Sequence, residues 1–148
     1  MSDICLHVND ILVVLFARSH PPNTFHWAIC VSITSKEALK FHAKETAGHW
    51  FFEDNHVPQQ GLLADPIVSA SIKIGELKNM SSLDDIQGLF KNIPLAVPAV
   101  DAAVEPRFSC RVWGKEAVRQ LHKHGYIYCL DVDDDLQRKY MIDSLNSY

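Results

Sequence analysis

Two apolar segments near the start of the chain have the pattern of buried β-strands. The run Ile11–Ala17 is rich in β-branched residues, and the breaker cluster Ser19–Thr24 that follows it predicts a loop. The next segment, Phe25–Ile33, alternates between bulky side chains and the smaller set His26, Ala28, Cys30 and Ser32. Because a row of small side chains lets a helix approach a sheet closely, we expect a helix to pack on the face that carries His26.

Further alternating segments predict the rest of an antiparallel sheet. They are Ala38–Glu45, which carries His42, the short aromatic run Trp50–Glu53, the segment Ile67–Gly75 and, near the end of the chain, Tyr126–Leu130. The turn Thr46–His49 joins the first two of these segments, and the polar, proline-bounded stretch Asp54–Pro66 predicts a loop. These segments indicate a meander in a sheet of about five strands.

Helical spacing appears only in the second half of the chain. A Ser-x-x-Asp pattern at Ser81 opens a short amphipathic segment that ends near Pro94, and acids followed by bases over Asp131–Tyr140 predict a final helix. Between them, one apolar stripe is formed by Cys110, Trp113, Ala117 and Leu121. Ser109 has the chemistry of its N-cap and Gly125 that of its C-terminal stop. The fold class is therefore α+β, an antiparallel sheet packed against a cysteine-bearing helix in one domain over residues 1–148.

Composition and charge narrow the classes of protein to which this chain can belong. The chain has 148 residues, 47% of them hydrophobic, which is enough for a substantial core and excludes a disordered class. A net charge of −4 gives no electrostatic footprint for nucleic acid. No segment reads as a signal peptide or reaches the ~20 apolar residues of a membrane span, so we expect a cytoplasmic protein. Four cysteines at wide spacings predict free thiols, and nothing in the pattern calls for a cofactor.

Cys110 is the first candidate for chemistry. A thiol in the first turn of a helix is exposed to unpaired backbone N–H groups and to a partial positive charge, both of which favour a thiolate. If the helix packs beside His26, the imidazole and the thiol form a base and nucleophile pair. The simpler interpretation is that Cys110 fills space, that His26 is a core histidine satisfied by a carbonyl, and that His42 is a half-exposed strand residue between lysines.

The residues His26-Trp27-Ala28 on a strand, His42 on the next strand and a cysteine at a later helix start resemble the circularly permuted papain-like thiol enzymes. The nearest group is that of lecithin:retinol acyltransferase and its phospholipase/acyltransferase relatives, within the NlpC/P60 superfamily. The group has Asn-Cys-Glu-His-Phe where this chain has Ser109-Cys-Arg-Val-Trp113. The chain is also similar to uncharacterised fungal proteins that share this His…Cys-Arg-x-Trp pattern.

The resemblance implies a hydrolase or acyltransferase that acts on an amide or ester. Cys110 is then the nucleophile, His26 the base and His42 the orienting residue, with Trp27 and Trp113 as candidate substrate-binding residues. An alternative is a ligand- or protein-binding module on the same fold with degenerate chemistry. A metal site built from His42, His49 and His56, or from His122 and His124, lacks the spacing of a recognised zinc motif, and the Asp131-x-Asp133-x-Asp135 run lacks the glycine and glutamate of a calcium loop.

Overall fold

Five antiparallel strands form one sheet. A computed structural model describes residues 6–19, 24–60, 62 and 67–140. The strands are β1 (Asp10–Ala17), β2 (Phe25–Ser32), β3 (Glu37–Thr46), β4 (His49–Pro58) and β5 (Val68–Glu76). Their order across the sheet is β4-β3-β2-β1-β5, and every neighbouring pair is antiparallel. The predicted α+β architecture, with a five-stranded antiparallel sheet, is confirmed.

Three α-helices follow the sheet in the described part of the chain. They are α1 (Ser82–Lys91), α2 (Cys110–Lys123) and α3 (Val132–Tyr140), and a single 3-10 turn, Ala99–Asp101, precedes α2. The Ser109 hydroxyl accepts a hydrogen bond from the Val112 N–H at 3.2 Å, as an N-cap does. Gly125, with φ of +81°, lies just past the end of α2. Both predicted ends of the cysteine-bearing helix are therefore confirmed.

Helix α2 packs on the opposite face of the sheet from the one that we expected. Its stripe lies in one core cluster with Trp27, Ile29 and Val31, the bulky row of β2. The close approach comes from the helix, because a Cβ at Gly114 would lie 3.3 Å from Cε3 of Trp27. The small row of β2 instead faces a second cluster whose buried members are Leu12, Val14, Ala28, Cys30, Ala38 and Leu62. Both faces of β2 are buried, so side-chain size alone does not identify the face that takes the helix.

Two predicted strands also differ from the structure. Strand β4 continues through the polar residues 54–58, because it pairs with β3 along its whole length, from His49 opposite Thr46 to Pro58 opposite Glu37. Tyr126–Leu130 is not a strand. Ile127 packs against Gly75 at the edge of the sheet, while the side chains of Tyr128 and Leu130 are mostly exposed. The predicted loops at 19–24 and 54–66 lie partly outside the described residues, and so does Cys5.

Candidate active site

The ladder between β2 and β3 stops short and leaves one edge of β2 unpaired. It joins Ile29–Ser32 to Ala38–Phe41, so residues 25–28 pair only with β1. The Sγ atom of Cys110 lies at this unpaired edge. It accepts a hydrogen bond from the Trp27 N–H at 3.5 Å and is 3.7 Å from the Phe25 carbonyl oxygen, to which the thiol donates. The thiol thus occupies the place of a strand partner, against the backbone on both sides of His26.

Arg18 is the third group in contact with the thiol. Its Nη2 lies 3.2 Å from Sγ of Cys110. The arginine directly follows β1, and its backbone N–H donates to the Thr24 carbonyl at 3.0 Å, which fixes its position beside the start of β2. The guanidinium therefore donates a hydrogen bond to the sulfur. Cys110 itself is 0% exposed.

His26 and His42 form a hydrogen-bonded pair that continues to a carboxylate. Nε2 of His26 is 2.6 Å from Nδ1 of His42, and Nε2 of His42 is 3.0 Å from Oε1 of Glu53. The carboxylate can only accept, so we assign the proton of His42 to Nε2 and leave its Nδ1 as an acceptor. His26 must then donate from Nε2. Its remaining ring nitrogen, Nδ1, carries a lone pair and is able to act as a base.

Both rings are held neutral by their surroundings. Burial does most to lower the pKa of His26 to about 3, followed by repulsion from His42 whenever that ring is protonated and by the charges of Lys40, Arg18 and Lys44. Burial and Lys40 also lower the pKa of His42, although Glu53 opposes that shift. A neutral imidazole is the form that accepts a proton. No hydrogen bond joins the His26 ring to Cys110 Sγ in the part of the chain that the structure describes.

These histidines line an open cleft of about 830 Å³. Its aromatic wall is made by Trp50 and Phe108, whose rings meet edge to face with centroids 5.2 Å apart. Trp27 and Trp113 do not line the cleft. They are 4% and 0% exposed and pack in the main core.

A buried ion-pair network holds α2 in place behind the thiol. Lys115, 3% exposed, pairs with Asp101 at 3.2 Å and with Glu105 at 3.1 Å. Arg119 also binds Asp101, and Arg111 binds Glu105 at 2.7 Å. Asp101 and Glu105 belong to the connection that leads into Ser109 and Cys110. The start of α2 is therefore tied to the helix body by charges as well as by its N-cap.

Two residues of this site, Glu53 and Arg18, were not predicted from the sequence. A sequence signal for Glu53 was present in the predicted turn Thr46–His49, and the structure shows a two-residue hairpin turn there, with φ of +52° at Ala47 and +81° at Gly48. Counting outward from that turn puts Glu53 opposite His42. No comparable local signal identifies Arg18, because its contact with the thiol joins residues 92 positions apart in the sequence.

Within residues 6–19, 24–60, 62 and 67–140, no group of three or more His, Cys, Asp and Glu side chains is arranged to hold a metal ion. His42 is engaged with His26 and Glu53 instead. Cys30, Cys110 and Cys129 are free thiols. No helix in the described ranges is long and apolar enough to cross a membrane.

Comparison with known proteins places the chain in a family. A model described as "Family of unknown function (DUF6914)" matches residues 9–137. The chain belongs to this family. The matched range includes all five strands, both histidines of the pair, Glu53 and Cys110. No significant match was found among curated proteins or among solved structures.

Proposed function

We propose that this member of the DUF6914 family is a thiol-dependent hydrolase or acyltransferase on a permuted papain-like scaffold of the NlpC/P60 type. Sγ of Cys110 attacks an acyl carbon, and the thiol proton passes to Nδ1 of His26. The C–O or C–N bond of the substrate breaks, and the leaving group takes that proton. Water or an acceptor nucleophile then cleaves the thioester, and its proton returns through His26 to the sulfur.

The observation that carries this proposal is the one-directional hydrogen-bond chain from Glu53 through His42 to His26. A chain that ends on a carboxylate fixes both tautomers, so the free lone pair lies on Nδ1 of the histidine whose backbone borders Cys110. A histidine that only fills space in the core does not require a hydrogen-bond chain to a second histidine and a carboxylate. His42 is thus a positioning residue for His26, and Glu53 is one for His42.

Two groups are suited to the oxyanion that forms during attack. The backbone N–H of Cys110 lies in the first turn of α2, where N–H groups have no partner within the helix. Arg18 supplies a cation beside the sulfur. The guanidinium both touches Sγ and lines the cleft, whereas Cys110 itself is buried and is not one of the cleft residues.

Complete burial of the thiol favours a second candidate. A sulfur that is 0% exposed and held by Arg18, Trp27 and Phe25 is able to serve as a structural bridge. The cleft would then belong to a binding module without covalent chemistry. The two candidates predict different behaviour of the same thiol.

The test is the rate of Cys110 alkylation by iodoacetamide, followed by mass spectrometry from about pH 6 to about pH 9. Cys30 is the matched internal control, because it is also 0% exposed and burial raises its pKa to about 12. We expect Cys110 to react at least about tenfold faster than Cys30 near neutral pH, and His26→Gln to slow Cys110 about tenfold while leaving the rate of Cys30 unchanged.

A second readout separates reactivity from catalysis. A 4-nitrophenyl ester should release a burst of nitrophenolate and leave an acyl group on Cys110, detected by its mass. If Cys110 reacts as slowly as Cys30, or if its rate is indifferent to His26→Gln, the nucleophile assignment is wrong and the binding-module function replaces it.

A further inference from the structure

The cleft beside the histidine pair is lined by more positive charge than negative. Its cationic side chains are Arg18, Lys40, Lys44 and Arg107, and its carboxylates are Glu45 and Glu53. The chain as a whole has the opposite sign, with a net charge of −4. The cleft therefore carries an excess of positive side chains on a chain of negative net charge, and its low-dielectric walls focus their field.

Two of these cations make no direct ion pair with the part of the chain that the structure describes. Neither Lys40 nor Lys44 forms an ion pair with any residue that the structure describes. Lys40 is partly buried, with its Nζ 4.5 Å from the ring centroid of Phe16. Burial of an ammonium group is costly and lowers the pKa of Lys40, while the charge of Glu53, which lines the same cleft, opposes that shift. A pocket that keeps such a group beside an open volume is organised to receive an anion.

The positions of Lys40 and Lys44 relative to His42 indicate where in the cleft an anion would bind. Lys40, His42 and Lys44 alternate along β3 and so point to the same face of the sheet. We propose that the cleft binds a small substrate that carries a carboxylate or a phosphate group, with Lys40 and Lys44 holding that group next to His26. That the bound anion is a substrate rests on the proposed function, whereas anion binding itself does not depend on the thiol.

A bound anion would also change the basicity of His26. The charges of Lys40, Arg18 and Lys44 all disfavour protonation of His26. A bound anion compensates these charges and raises the pKa of His26, which makes its Nδ1 a better proton acceptor. His26 would then be a stronger base with an anionic substrate bound than with a neutral one.

The small concave site and the acidic remainder of the protein favour a soluble anion over a broad anionic surface. The test is calorimetric titration of the full chain with inorganic phosphate and, separately, with succinate, at constant low ionic strength. Ring ¹⁵N shifts of His26 and His42 locate the bound anion. Cys110→Ser is titrated in parallel, because it removes the thiol nucleophile and leaves both lysines in place.

We expect saturable binding of at least one of the two anions, with shifts of the His26 and His42 ring nitrogens. Lys44→Gln and Lys40→Gln should each weaken it about five- to tenfold, as expected for the loss of one nearby charge. Lys36→Gln is the matched control: it removes an exposed lysine just before the same strand, outside the cleft, and should change the affinity less than about twofold.

The outcomes separate the two proposals. Binding of phosphate alone or of succinate alone supports the inference and identifies the group. Binding that persists in Cys110→Ser while the wild type shows no thiol reactivity supports the anion site and refutes the enzyme. Absence of saturable binding, equal effects of Lys36→Gln and Lys44→Gln, or binding only to vesicles of phosphatidylglycerol would overturn the inference, even if Cys110 reacts with neutral esters.

Discussion

Acid should destabilise this protein through His26 well before its carboxylates titrate. The pKa of His26 is lowered from 6.5 to about 3 in the folded state, so the folded protein does not take up this proton when the pH falls below 6.5, whereas the unfolded chain does. The stability that depends on a neutral His26 is thus fully present above pH 6.5. It is lost as the pH falls from there toward 3.

The size of the effect follows from the shift. Each pH unit inside this window costs about 1.4 kcal/mol of unfolding free energy, and the whole window costs on the order of 4 to 5 kcal/mol. Between about pH 8 and about pH 5 the expected loss from His26 is roughly 2 kcal/mol. His26→Gln should remove this part of the loss, since a glutamine side-chain amide can still donate to Nδ1 of His42 but does not titrate.

The assay is urea unfolding of the wild type and of His26→Gln at half-unit steps of pH, analysed for the free energy of unfolding in water. His42 has a lowered pKa as well and remains in both proteins, so only the difference between the two curves is interpreted. His49→Gln, a change at an exposed histidine outside the cleft, serves as the control. If wild type and His26→Gln lose equal stability toward pH 5, His26 is not held neutral and the tautomer assignment fails.

Three further changes test the elements that support the site. Glu53→Gln should slow the alkylation of Cys110 and any ester cleavage by about tenfold or more, because an amide no longer fixes the tautomer of His42; an unchanged rate would contradict the assignment. Lys115→Met should cost about 3 kcal/mol in urea unfolding, since it leaves buried carboxylates undercompensated, and a loss below about 1 kcal/mol would show that the ion pairs are dispensable. Ser109→Ala should cost about 1 kcal/mol through loss of the N-cap, measured in the same way, and a neutral result would mean that α2 starts without it.

Much of the fold could be predicted because local patterns determine it. The apolar run of β1, the alternation in β2 and β5, the N-cap at Ser109 and the stop at Gly125 depend on neighbours within a few residues, and the structure confirms them. The segment 126–130 has strand-like composition but does not pair with the sheet. Periodicity describes the side chains of a segment and says nothing about which partner is available to its backbone.

The site was predictable only in part, for a physical reason. His26, His42 and Cys110 stand out as residue types in a recognisable order, and the structure places all three at the same end of β2. The way in which they meet could not be predicted. Helix α2 packs on the face of the sheet opposite His26, and the thiol contacts the backbone at the unpaired edge of β2. That edge is unpaired because the β2–β3 ladder ends early, and no pattern in the amino-acid sequence predicts this end.

The place of Cys110 at the unpaired edge of β2 affects how an inactive variant must be chosen. Replacement by alanine would delete more than a nucleophile: it would leave the buried N–H of Trp27 without its acceptor and the guanidinium of Arg18 without the sulfur. Serine keeps an acceptor and a donor at the same position. An alanine variant that loses activity would therefore confound lost chemistry with a disturbed strand edge, while the serine variant separates the two.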